Sequence, residues 1–383
     1  VFKQHYKLFL EANKGVQHYA AHSHHYWPDV TREATLQYWD DSAKYVDDKW
    51  DYFFAAKVPA AQRLIAEVLN LTYPGQIVFA PNTHEFILRL LSCFDPAKPI
   101  RILTSDSEFH SFERQVNRLS EDSRVQVEKI ATENFWNFEE RFKERLNKTQ
   151  YDLVFVSQVF FNSGYAIKNL QSLVEAANPK TMFVIDGYHG FMALPTDLKA
   201  IEDRVFYIAG SYKYAQGGEG CCFMHVPFSA HHRPLNTGWF AGFAELSQKT
   251  EKVIYAEDGY RFAGSTMDFT GLYRLISVLQ LFKKEGITVE KIHRHVQGLQ
   301  KNFREYIADK NFKEVNVKNI LKNDFDYHGH FYAFDLKDPA IVKIIHSILN
   351  REKVRTDYRG SRLRFGFGLY QEDCINLDDI KNL

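Results

Sequence analysis

The sequence predicts an α/β protein: a mostly parallel sheet covered on both faces by helices, followed by a smaller α+β domain. Three observations carry this. Short apolar runs alternate with stretches of helical period through the first two-thirds of the chain. The runs are continuously apolar rather than alternating, as strands buried on both faces must be. After about residue 270 the pattern changes to two long helices and then strand, helix, strand. With 383 residues, of which 45% are hydrophobic, the chain is long enough to bury two cores.

In order, QIVFA (76–80) reads as the first strand, and THEFILRLLSCF (83–94) follows it with apolar residues at helical spacing. IRILTS (100–105) is a strand, ENFWNFEERFKERLN (133–147) a helix, and YDLVFVS (151–157) a strand. NLQSLVEAAN (169–178) is a helix, and TMFVID (181–186), RVFYIAG (204–210) and CCFMHV (221–226) are strands. Two long helices follow, at 271–286 and 288–310. HFYAFDL (330–336), PAIVKIIHSILNREK (339–353) and SRLRFGFG (361–368) then read as strand, helix, strand. A large domain over 21–270 and a small one over 271–383 are expected.

Lys plus Arg number 48 and so do Asp plus Glu, which argues against a general nucleic-acid or membrane-surface role and fits an enzyme of small molecules. The four cysteines, Cys93, Cys221, Cys222 and Cys374, form no CxxC pair. They read as buried free thiols of a reducing compartment, so a cytoplasmic place is expected. No segment has the length of a transmembrane helix and no signal peptide is visible, although a chain starting at Val1 leaves a removed leader open.

Function is expected where strands end, because ligands of open α/β sheets bind beyond the carboxyl ends. Asn82, Thr83 and His84 open a helix there, as an anion site or as a plain cap. Phe109 and His110 follow the second strand, and Ser157 closes the next. Asp186 closes MFVID, and a buried carboxylate needs a cation or donor. His189 is three residues on, so a metal pair is a second reading, without a third ligand at suitable local spacing. Lys213, in FYIAGSYKYAQGGEG (206–220), stands at a strand mouth before glycines that let backbone approach a ligand. It is either a surface lysine or a desolvated amine able to form a Schiff base.

An Asp closing one strand and a Ser-x-Lys closing the next, 27 residues later, match what pyridoxal phosphate requires: a lysine for its aldehyde and a carboxylate for its ring nitrogen. On DGYH (186–189), GSYKY (210–214), GWF (238–240) and RLRFGFG (362–368), the chain resembles the fold-type I pyridoxal-phosphate enzymes. Within them it is similar to the class V aminotransferase family and its kynureninase-like branch, from about residue 18 to the C-terminus.

The resemblance implies an aspartate aminotransferase-like fold with a seven-stranded, mostly parallel sheet. It implies an N-terminal segment (1–20) packing with the small domain, and a homodimer with active sites at the subunit interface. Lys213 would hold the cofactor and then act as base at Cα, with Asp186 at the pyridine nitrogen, His189 hydrogen-bonding around the cofactor and Phe109 stacked on it. Thr83, His84, Tyr212 and Trp239 would contact the phosphate, and Ser157 the cofactor. Ser265, in FAGST, would reach the phosphate from the partner subunit. Arg364 would clamp the carboxylate of an amino-acid substrate, with Tyr26 also at the substrate.

The reaction implied is class V aminotransferase chemistry, or alternatively kynureninase-like hydrolysis of a Cβ–Cγ bond. GWF favours the second, whereas HSHH (22–25), where kynureninases carry an NSLG-type turn, speaks against kynurenine. Cysteine desulfurases of this superfamily carry a cysteine shortly before the matching arginine. KVRTDYRGSRLRFG (353–366) has none, and Cys374 lies beyond Arg364. A metal-dependent hydrolase built on Asp186, His189 and HSHH, and a non-catalytic relative, are the readings from other classes.

Overall fold

Seven strands form the central sheet of the computed structural model: β1 (Ile77–Ala80), β2 (Ile100–Ser105), β3 (Val125–Ile130), β4 (Leu153–Ser157), β5 (Met182–Asp186), β6 (Val205–Gly210) and β7 (Cys222–His225). The structure describes residues 2–246, 251–321, 327–372, 375–378 and 380; Cys374 lies outside them. The order across the sheet is β1-β7-β6-β5-β4-β2-β3. Strands β6, β5, β4, β2 and β3 are parallel, and β7 runs antiparallel to both β6 and β1. Two reversals turn β1 back to the common direction. The carboxyl ends of β1, β2, β4, β5 and β6 therefore share one edge, where β7 begins at Cys222.

Every residue of β4, β5 and β6 is buried, as expected for central strands covered on both faces. The cover comes from helices α1 (Val30–Tyr45), α2 (Val58–Leu69), α3 (Thr83–Leu91), α4 (His110–Leu119), α5 (Phe138–Lys148), α6 (Leu170–Ala176) and α7 (Thr270–Lys284). Phe112 of α4 lies flat on Phe155 of β4, with centroids 3.7 Å apart and planes 7° from parallel. Local chemistry fixes the boundaries. Asn82 caps α3 by accepting the Glu85 N–H at 3.1 Å, and Asn70, in the left-handed region, ends α2.

The small sheet joins β8 (Phe331–Asp335), β9 (Asp357–Arg359) and β10 (Arg362–Gly366) antiparallel in the order β9-β10-β8. It packs with α8 (Val289–Lys310) and α9 (Pro339–Arg351) around Val296, Phe303, Tyr332 and Phe365. The core of the large sheet runs on through α7 to Ile292, so the two cores meet inside α8, between Ile292 and Val296. Gln17 and His18 pair in parallel with Val354 and Arg355, and Tyr19 packs into the small core.

Four of these elements, β3, α1, α2 and α4, are not among those expected from the sequence. β3 is an edge strand whose residues are half-buried or exposed, so it never forms an apolar run. In α1 the buried residues are Thr31, Ala34 and Asp41, with Tyr273 donating to the Asp41 carboxylate at 2.7 Å. A polar inner face leaves no hydrophobic stripe to read. α2 is amphipathic but precedes the first strand. Among the described residues no helix is long and apolar enough to cross a membrane.

Candidate active site

The shared strand edge holds a cavity of about 230 Å³. Thr83 and His84 come to it from the start of α3, Phe109 from the loop after β2, and Ser157 from the end of β4. Asp186, Tyr188 and His189 follow from β5, Tyr212 and Lys213 from β6, and Cys222 from the start of β7. Eight residues expected at the site on sequence grounds thus share one wall: Thr83, His84, Phe109, Ser157, Asp186, His189, Tyr212 and Lys213.

Lys213 is 5% exposed. Its Nζ lies 3.0 Å from His189 Nε2 and 3.3 Å from Nδ1, 4.7 Å from the Tyr188 ring centroid and 5.4 Å from that of Phe109. Burial pushes the amine down to about 7, against the pull of the Asp186 carboxylate. Burial holds His189 well below the ordinary histidine value, with the nearby Lys213 charge adding to the effect, so the imidazole is neutral.

Asp186 closes β5 with one oxygen taking the Tyr188 N–H at 2.9 Å. Burial raises its carboxyl, while that N–H and Lys213 oppose the rise. Ser157, its cross-strand neighbour, donates to Glu108 at 2.6 Å, and Ser105 holds the other oxygen of Glu108 at 2.6 Å. Burial lifts the Glu108 carboxyl to about 8. Gly210 is required by the packing: a Cβ there would stand 2.1 Å from the Tyr188 hydroxyl oxygen and 2.6 Å from Cys222 Sγ.

The glycine loop after Lys213 is anchored rather than loose. Ser211 donates to the Gly218 carbonyl, and Arg274 of α7 donates to the carbonyls of Gly217 and Glu219. Gly218 adopts φ +71°, and a Cβ there would meet the Trp27 ring at 2.5 Å. Glu219 reaches the exposed mouth of the cavity, 3.8 Å from His24.

Four expected residues lie elsewhere. Tyr26 is buried between His18 and Tyr370, both stacked on it at 4.4 Å. Trp239 donates to Thr266 at 3.2 Å and packs on Phe240, and Ser265 is exposed beside it; neither lines the cavity. Arg364 is 3% exposed and stands behind the wall, where Phe161 faces the cavity. Its guanidinium donates to Asp357, with Nε to Oδ1 at 2.8 Å and Nη2 to Oδ2, and Nη1 donates to the Phe161 carbonyl. Sequence reasoning gave no role to Tyr188, Glu108 or Asp357; Tyr188 stood inside DGYH, and the other two have no local spacing that signals them. His22 stood inside HSHH, which was singled out as a cluster but without its link to Asp357.

The donor set fits pyridoxal phosphate. It offers a buried amine depressed toward neutrality, a carboxylate with one oxygen still without a hydrogen bond, an aromatic face and a helix N-terminus at the cavity. Among the described residues no three His, Cys, Asp or Glu side chains stand together as a metal site.

Comparison with known proteins agrees. The family model described as Aminotransferase class-V matches residues 28–353. No curated protein matches the sequence. Among solved structures, a lysine mutant of C-DES with glycine covalently linked to its PLP cofactor is similar at 15% identity, covering 97% of this chain and 96% of that one, with a TM-score of 0.79. The cystine C–S lyase C-DES in complex with its product cysteine persulfide is 16% identical, with coverages of 95% and 96% and a TM-score of 0.78. The apo cysteine desulfurase of Thermococcus onnurineus NA1 is 18% identical, with coverages of 97% and 93% and a TM-score of 0.76. At these identities the likeness establishes the fold alone.

Proposed function

From the premise that the chain belongs to the aminotransferase class-V family, whose members are pyridoxal-phosphate-dependent enzymes, we propose that it transfers the amino group of a small amino compound, with Lys213 as the proton carrier. The observation that carries this reading is the state of the groups on the inner wall. Lys213 has a proton affinity near neutrality and its Nζ faces the cavity. Burial raises the Cys222 thiol to about 12 and lifts Tyr188 well above its ordinary value, while His189 is held well below its own. Moving one proton off a carbon and back needs one such carrier.

When bound, the cofactor supplies an aldehyde that condenses with amines and a ring that accepts the electron pair left at carbon. Lys213 Nζ is the atom to hold the aldehyde at rest. Its free amine would take the proton from the amine-bearing carbon and keep it for return. His189, 3.0 Å away, positions Nζ without competing for the proton. Asp186 offers its second oxygen to a protonated ring nitrogen, and Phe109 supplies an apolar face. Thr83 and His84, at the N-terminus of α3, would take the phosphate with Tyr212, and Ser157 would stand beside the ring.

Two of the solved relatives bear names of sulfur chemistry. Cys222, the cysteine on this wall, is 3% exposed and held as a thiol, so it is a poor sulfur acceptor.

The test begins with the visible band of the protein after addition of pyridoxal phosphate. Borohydride should fix the cofactor to Lys213, located by peptide mass spectrometry, and Lys213→Ala should lose the band. An amino donor with a 2-oxo acid should then yield a new amino acid. Alanine and an anthranilate from kynurenine would replace transfer by hydrolytic cleavage. A band that survives in Lys213→Ala would sink the assignment.

A further inference from the structure

We propose that the enzyme takes primary amines whose amine-bearing carbon carries no carboxylate, because Asp357 already fills the guanidinium fork of Arg364. The inference rests on the amine-transfer reading above and narrows its substrate class. Three observations lead to it.

First, the pair is built into the sheet. Asp357 of β9 and Arg364 of β10 are directly opposed in the antiparallel register, so the carboxylate is delivered by two strands rather than by a loose loop. Second, the Nε–Nη2 face of the fork is filled and three of its five N–H groups are engaged. Nε and Nη2 hold the two oxygens of Asp357, and Nη1 holds the Phe161 carbonyl. His22, fully buried and stacked on Phe331 at 4.7 Å, gives Asp357 Oδ1 a further bond at 2.8 Å. Third, Phe161 and Val159 form the cavity wall in front of Arg364. A reacting carbon held near Lys213 meets an apolar surface on that side.

A carboxylate on that carbon would meet Phe161 first and could take the Nε–Nη2 face only by displacing Asp357. Two carboxylates would then compete for Arg364 in a largely buried space, and Asp357 would keep only the half-exposed Arg359 guanidinium at 4.0 Å and the His22 imidazole, which burial holds down at about 4. A hydrogen or a small apolar group on that carbon meets no such cost. Amino acids whose amine stands away from the carboxylate remain substrates.

Two matched pairs test this, each differing by one carboxylate: ethylamine against L-alanine, and 4-aminobutyrate against L-glutamate. The readout is the concentration of each that half-shifts the visible spectrum of the cofactor-loaded protein. The carboxylate-free member should act at a concentration at least about tenfold lower. Asp357→Asn, which keeps the shape and removes the charge, should narrow or reverse that ratio. Tighter action by the α-amino acids on the wild type overturns the inference without need of any variant. So does a ratio that Asp357→Asn, with a melting temperature showing it folded, leaves unchanged. Absence of the visible band before any probe is added overturns the cofactor reading beneath it as well. A loaded protein that prefers α-amino acids overturns this inference alone.

Discussion

At the scale of single residues, Lys213 owes its reactivity to burial. Desolvation lowers its amine to about 7, and Asp186 keeps it from falling further. The neutral amine is the nucleophile, so capture of pyridoxal phosphate by the apoprotein should rise with pH through about 7 and then level off. Asp186→Asn removes the carboxylate that favours the ammonium, so the midpoint should move to lower pH. Stopped-flow absorbance across pH measures both; a midpoint near the ordinary lysine value of 10.5 would contradict the burial argument. The same shift acts on stability. Below about 7 lysine is charged in both folded and unfolded chains, and the full cost of burying the ammonium is present. Between about 7 and 10.5 the unfolded chain binds more protons than the folded one, so this residue makes stability rise with pH across that window.

At the scale of elements, α4 carries Phe109 at its start and is seated on the sheet by Phe112 against Phe155. Phe112→Ala should cost about 3–5 kcal/mol, read as a lower urea midpoint, because a large fully buried ring leaves a cavity. An unchanged midpoint would mean that another contact seats the helix. What the sequence reveals follows from how local its signals are. β4, β5 and β6 are continuous apolar runs; Ser157 and Asp186 end the first two and Lys213 follows the end of the third by three residues, all at the cavity, so the three were legible together. β3 was not, since an edge strand spends half its residues on solvent. Asp357 was not, since its meaning lies in a cross-strand register with Arg364 and in a histidine more than three hundred residues away. The motif located the arginine, but its pairing with Asp357 exists only after folding.

At the scale of the whole molecule, Trp239 and Ser265 matter because they do not line the cavity of their own chain. The two stretches are packed backbone to backbone: a Cβ at Gly238 would stand 2.3 Å from the Gly264 carbonyl oxygen and 2.9 Å from Ser265 N. They present Ser265 exposed, with the Trp239 ring half-buried beside it. The family resemblance assigns this surface to a phosphate although it does not line its own chain's cavity, and a symmetric dimer in which each chain completes the other's site would reconcile the two. That arrangement has a consequence a monomer cannot share. Chains carrying Lys213→Ala lack the anchor, and chains carrying Ser265→Glu place a negative charge against the partner's phosphate. Each variant alone should load cofactor poorly. Mixed, dissociated and reassociated, they form hybrids in which one site carries both defects and the other neither. Random pairing then restores about a quarter of the sites, measured as the visible band per chain. Sedimentation of both variants as dimers, with no band regained on mixing, would show that Ser265 serves its own chain or none.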